Sequence, residues 1–172
     1  MQPGGNVAAL RIVPNRPRAV FDCVIFLQAA ISNRGPAAIA FTAVEAGRVE
    51  LLIADAILLE VEGVLNRPNI QRKFPQLSPD RIAAFLGRIS DLATLVKDVS
   101  SDFRYERDPD DEPYLNLAIV SKAEYLVTRD RDLLDLTRGN NSDGQRLRLQ
   151  APLLHILDPV AFLQAIAVET MP

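Results

Sequence analysis

Blocks of apolar residues alternate along this chain with polar, Gly- and Pro-containing segments, and their periods predict strands and helices taking turns. The first block, Ala19 to Leu27 (AVFDCVIFL), has high strand propensity and is broken by a single acid, Asp22. It predicts a buried first strand in which Asp22 marks the end or faces a site, because a lone buried carboxylate needs a partner, or else caps the helix that follows. Gly35-Pro36 opens a small-residue helix, PAAIAFTAVEAG, with Gly47 where a C-terminal cap belongs. VELLIA, residues 49–54, reads as the second strand. Asp55 then stands as the N-cap of AILLEVEGVLNR, a helix that Pro68 ends. On that helix Ile57, Leu58, Val61, Val64 and Leu65 share one face, with Glu60 on one flank and Glu62 on the other.

Arg67, Arg72 and Lys73 fall in a short helical patch, and Ser78-Pro79-Asp80 starts the next helix. That helix points Ile82, Phe85, Leu86 and Ile89 toward the core. ATLVKDV (93–99) offers a third strand, LNLAIV (115–120) a helix and YLVT (125–128) a fourth strand. TRGNNSDGQR (137–146) carries the marks of an exposed loop. APLLHIL (151–157) gives the fifth strand and Asp158-Pro159 the last helix. Strands alternating with helices predict an α/β fold, a parallel sheet with helices on both faces. Residues 1–17, rich in Gly, Pro, Asn and Arg, read as a flexible N-terminal arm, and 18–172 as a single domain.

Composition narrows the chemistry. A 172-residue chain with 48% hydrophobic and 24% charged residues suits one globular domain rather than disorder. No apolar run approaches the ~20 residues of a membrane span, and the first residues lack signal-peptide architecture, so no membrane partner and a cytoplasmic location are expected. A single cysteine, Cys23, excludes an internal disulfide and a cysteine-cluster zinc site. The one histidine, His155, lies inside LLHIL and reads as a core or edge-strand residue, so paired-histidine catalysis on RNA is excluded. What remains is carboxylates, of which the chain has 22. The net charge of −3 gives no global attraction for nucleic acid, and any such contact must rest on bound cations and local Arg and Lys.

The acids concentrate between Arg107 and Leu136. Asp108, Asp110, Asp111 and Glu112 crowd the start of LNLAIV, and Asp130 and Asp132 follow YLVT. In an open α/β sheet the segment after a strand and the start of a crossover helix can face one crevice. Carboxylates gathered there repel unless a cation or protons intervene. The stretch reads equally as a divalent-metal site or as helix caps. Asp22, Glu60, Asp111 and Asp130 occupy comparable places in the alternating pattern, and an oxygen-only set suits Mg²⁺ or Mn²⁺. Two such ions can activate water and stabilise both oxygens of a phosphodiester displacement.

AVFDCVIFLQA, AILLEVEGVLNRP, RDPDDEPYLNLAIVSKAEYLVTRDRDLL and ILDPVAFL together resemble the PIN-domain family of metal-dependent ribonucleases. Within it, the chain is similar to toxin components of bacterial toxin–antitoxin pairs. The resemblance implies a three-layer α/β/α sandwich with a five-strand parallel sheet, and an acidic pocket holding one or two Mg²⁺ or Mn²⁺ ions. It implies hydrolysis of RNA by metal-activated water, with Asp22, Glu60, Asp111 and Asp130 as catalytic and metal-binding acids. Asp108 or Asp110 serves in place of Asp111 if the register differs. Thr128 matches the family's Ser/Thr two residues before the last acid, and Asp132 is an outer ligand or, equally, a helix cap. Arg67, Arg129 and Arg131, with Arg72 and Lys73, lie near the predicted mouth and read equally as phosphate contacts or as solvated surface. A homodimer and a small antitoxin protein are the implied partners, besides RNA. One departure stands out: the family follows its first Asp with Thr or Ser and then Asn, whereas this chain has Cys23 and Val24. The alternative is therefore a catalytically weakened module that binds RNA or protein. A phosphatase with an aspartyl nucleophile is disfavoured, since it wants an acid at position 24.

Overall fold

The computed structural model describes residues 15–169, so residues 1–14 of the predicted arm lie outside them. Five strands form one sheet: β1 (Arg18–Phe21), β2 (Glu50–Ile53), β3 (Thr94–Leu95), β4 (Tyr125–Val127) and β5 (His155–Leu157). They run in the order β3-β2-β1-β4-β5 with every neighbouring pair parallel. Helices pack on both faces: α1 (Cys23–Ile31), α2 (Pro36–Glu45), α3 (Asp55–Leu65), α4 (Pro68–Lys73), α5 (Pro79–Leu92), α6 (Glu112–Ser121), α7 (Arg131–Arg138), α8 (Ser142–Gln150) and α9 (Pro159–Glu169). This is the α/β/α sandwich that the alternation of blocks predicts. Among the described residues no single helix is long and apolar enough to cross a membrane.

The central strands are buried on both faces, as parallel strands under two helical layers must be. Ala19, Val20 and Phe21 of β1, Leu51 and Leu52 of β2 and Leu126 and Val127 of β4 are all essentially inaccessible. Phe162 of α9 meets Phe21 edge-on at 5.8 Å and Tyr125 at 5.4 Å, locking the last helix onto β1 and β4. From β1 the chain moves outward to β2 and β3, then returns to place β4 on the other side of β1. The order therefore reverses between β1 and β4. The crevice outside their carboxyl ends is where ligands of such sheets bind.

Four elements differ from the sequence expectation. The first strand stops at Phe21, and Cys23–Leu27 is helical. An all-apolar run satisfies either period, and Asp22 decides it: its Oδ1 accepts the Ile25 N–H at 3.0 Å and caps α1. Asp55 is not the cap of α3; Ala54 holds that position, and Asp55 lies in the first turn, where its charge favours the helix dipole. The third strand shrinks to an exposed two-residue edge. The predicted loop 137–146 is mostly helical, with α7 reaching Arg138 and α8 starting at Ser142. Asn141 Oδ1 accepts the Gly144 N–H at 2.6 Å, and a Cβ at Gly144 would sit 2.2 Å from the Leu136 carbonyl. Glycine is there because two helices approach closely, not because the chain turns. His155 is exposed on the edge strand β5.

Candidate active site

The parallel pairing of Phe21 with Val127 brings the next residues, Asp22 and Thr128, side by side at the carboxyl ends of β1 and β4. The Asp22 N–H donates to the Val127 carbonyl at 3.1 Å, which continues the pairing one residue further. Asp22 is 6% exposed and Thr128 is fully buried. The Thr128 hydroxyl donates to Asp22 Oδ2 and accepts the Asp130 N–H at 2.9 Å, so one side chain ties both acids together. Burial pushes the Asp22 carboxyl above its ordinary value, against the pull of the Thr128 hydroxyl and of the Ile25, Arg129 and Val24 amides. Asp130 Oδ1 accepts the Asp132 and Leu133 amides at 2.8 and 3.1 Å and caps α7. Capping and site membership are thus compatible in one carboxylate, because the cap engages a single oxygen. Replacing Thr128 with Val keeps the shape but strips Asp22 Oδ2 of its donor. The expected cost is about 2 kcal/mol. That corresponds to a fall of about 4–8 °C in the midpoint of a thermal melt for a domain of this size.

Asp111 reaches the same crevice through a clasped loop. Asn116, buried in α6, accepts the Phe103 N–H and donates to the Phe103 and Glu112 carbonyls, each at 2.9 Å. Glu112 accepts the Tyr105 N–H at 2.8 Å and pairs with Arg104 at 3.1 Å, so it serves the loop rather than the acidic cluster. Phe103 and Tyr105 are buried by this clasp and deliver the 3-10 turn Pro109–Asp111 to the start of α6. Asp108 Oδ1 caps that turn through the Asp110 N–H at 3.1 Å. Asp111 occupies the N-cap position of α6 but makes no capping bond with its side chain. Its Oδ2 is buried without a hydrogen-bond partner among the described residues. Burial first, then the charges of Asp108, Asp130, Asp22 and Asp110, push its carboxyl up to about 7. Asp22, Asp111 and Asp130 therefore share one field.

Glu60 enters from α3, where Tyr114 of α6 donates its phenol proton to Glu60 Oε2 at 2.6 Å. Burial, that bond, and the charges of Glu60, Cys23 and Asp22 all push the phenol upward. Burial also lifts the Cys23 thiol to about 12, helped by Glu60 and Asp22 and opposed by Arg67. Arg67 and Glu60 thus act on the same residue that follows Asp22. Val24 is exposed and offers no side-chain hydrogen bond. Arg129 donates through Nε to Gln28 at 2.7 Å, and Arg131 is exposed at the start of α7. Asp132 is neither the cap of α7, which is Asp130, nor free: Arg107 pairs with its carboxylate and Tyr105 donates to its carbonyl at 3.3 Å. Tyr114, Asn116 and Arg107 escape a sequence reading. Asn116 had a usable signal, a lone amide inside LNLAIV that burial obliges to find partners.

Among the described residues no three Asp, Glu, His or Cys side chains stand close enough to ligate one ion together. The donor chemistry nevertheless fits a hard divalent cation. The set is rich in carboxylate oxygen, one buried oxygen of Asp111 lacks any partner, and a cation would relieve the repulsion that raises its pKa. Mg²⁺ keeps several waters and is commonly held by one or two carboxylates, which suits acids spread this widely.

The family model that matches this chain is described as a PIN domain and covers residues 18–132. The crystal structure of PAE2754 from Pyrobaculum aerophilum is similar over 88% of this chain and 90% of its own, at 18% identity and a TM-score of 0.52. That likeness shows a shared fold. No curated protein matches the chain.

Proposed function

The chain belongs to the PIN domain family, whose members are generally nucleases, and on that premise we propose that it is a Mg²⁺- or Mn²⁺-dependent endoribonuclease. The observation that carries this reading is the unpartnered, buried oxygen of Asp111, a carboxyl raised by the charges of Asp130 and Asp22, the latter at the point where the strand order reverses. Asp22, Asp111, Asp130 and Glu60 would supply the carboxylates for one or two ions, with no more than two of them on any one ion and water completing each shell. When bound, such an ion lowers the pKa of a water and stabilises charge on a phosphodiester. The chain's own residues do the rest. Thr128 fixes the direction of Asp22 and the backbone of Asp130. Arg67, Arg129 and Arg131 border the mouth and supply positive charge for phosphate, which a chain of net charge −3 needs locally. Asp132 steadies Arg107 at the rim.

The sequence resemblance supports a finer reading: the toxin of a toxin–antitoxin pair, cytoplasmic, homodimeric and neutralised by a small partner protein. A second reading, a module that binds RNA or protein without cutting, draws on Val24 and on the separation of the four acids. The purified chain with single-stranded RNA separates them. Cleavage is expected with Mn²⁺ or Mg²⁺, absent with chelator and restored on adding the ion back. Cleavage that survives chelation overturns the proposal, and RNA binding without cleavage at any divalent concentration selects the second reading.

A further inference from the structure

Glu60 and Tyr114 lie 54 residues apart on different helices, yet a 2.6 Å hydrogen bond joins them. The two ends of that bond differ in character. The Tyr114 ring is 3% exposed and fixed in the core, whereas Glu60 lies on an exposed flank of α3. Among the described residues no other hydrogen bond or ion pair engages the Glu60 carboxylate. Without the phenol, three rotatable bonds would leave that carboxylate free to sweep through solvent.

The position of Tyr114 along α6 is equally telling. Asp111 sits at the N-cap and Tyr114 three residues later, so a single turn of α6 presents one acid directly and grips a second from another helix. That turn is itself anchored by Asn116 and Glu112 to the loop carrying Phe103 and Tyr105. Tyr114 also feels the charge of Asp22, the acid that follows β1.

We propose that Tyr114 is a positioning residue of this site, whose hydroxyl holds Glu60 Oε2 in the direction in which Glu60 serves the divalent ion. The inference rests on the nuclease reading and deepens it. A hydrogen-bond donor behind a ligating carboxylate typically changes metal affinity by about 10–100-fold. A purely structural tie between α3 and α6 would change melting behaviour and leave metal affinity alone.

The test is a titration of Mn²⁺ into the full chain by calorimetry, with a thermal melt of each variant to show that it folds. Tyr114→Phe retains the buried ring and is expected to bind Mn²⁺ about tenfold more weakly. Glu60→Gln should weaken binding to a similar extent, and the double variant should be no weaker than Glu60→Gln alone. RNA cleavage by Tyr114→Phe should fall at limiting Mn²⁺ and recover when Mn²⁺ is saturating. Wild-type affinity in Tyr114→Phe, alongside a weakened Glu60→Gln, overturns this inference alone. A wild-type chain that binds no Mn²⁺ overturns the nuclease reading and this inference with it.

Discussion

Replacing Asp22 with Asn is expected to reduce RNA cleavage by ~100-fold or more while leaving the fold standing, since even outer partners of a metal ligand are worth 10–100-fold. The fold survives because both local tasks of Asp22 can pass to an amide. The Asn oxygen can accept the Ile25 N–H and cap α1 as well as Asp does. Its amide nitrogen can donate to Thr128, whose hydroxyl has a second lone pair besides the one taken by the Asp130 N–H. What the amide cannot supply is the negative charge that Asp111 feels and that a divalent ion would meet. Burial already disfavours that charge, which offsets the loss of an acceptor for the buried Thr128 proton, so the variant should stay folded. The measurement is a cleavage rate at fixed Mn²⁺ beside a thermal melt. Undiminished cleavage by a folded Asp22→Asn variant removes Asp22 from the chemistry.

Asp111→Asn should separate stability from activity most clearly through pH. The folded Asp111 carboxyl titrates near 7, against about 3.9 for an unfolded Asp. Because the folded value is raised, the stability linked to this proton is fully present below about pH 4 and is lost as pH rises through 7. Asparagine has no proton to lose. Near pH 4 the two chains should therefore differ little, and at pH 8 without divalent ion the variant should be the more stable. Discounted for solvent screening, since Asp111 is only partly buried, the gain is on the order of 2 kcal/mol, or about 4–8 °C in melting temperature. Adding Mn²⁺ should narrow the gap, because an ion that binds only the wild-type acid stabilises it by mass action. Melts at pH 4, 6 and 8 decide the matter, and a variant equally displaced at all three contradicts the raised carboxyl.

Much of this arrangement was legible from residue order. Pro36, Pro79 and Pro159 each open a helix where their fixed backbone predicts one, and the near-continuous apolar runs of β1, β2 and β4 announce strands covered on both faces. The misreadings share a cause: a single cap or close contact decides between structures that the residue pattern allows equally. AVFDCVIFL carries no period that separates strand from helix, and only the capping bond from Asp22 to Ile25 breaks the tie. Residues 137–146 read as a loop because sequence cannot reveal the Leu136 carbonyl that presses on Gly144. Carboxylates stand out by type, so Asp22, Asp111 and Asp130 are legible as candidates in residue order. Tyr114 was hidden because an aromatic in an apolar helix looks like packing until its hydroxyl is seen to meet Glu60.

The bond between Thr128 and Asp22 spans 106 positions of chain. During synthesis, Asp22 and Glu60 emerge long before the strand that completes their surroundings. Closing so large a separation is slow compared with forming local helices, because loop entropy is lost before the contact rewards it. A chain halted anywhere before residue 128 can carry helices and half the sheet yet no finished crevice. The acids of the earlier strands and helices thus gain their final setting only when the fourth of the five strands pairs with the first.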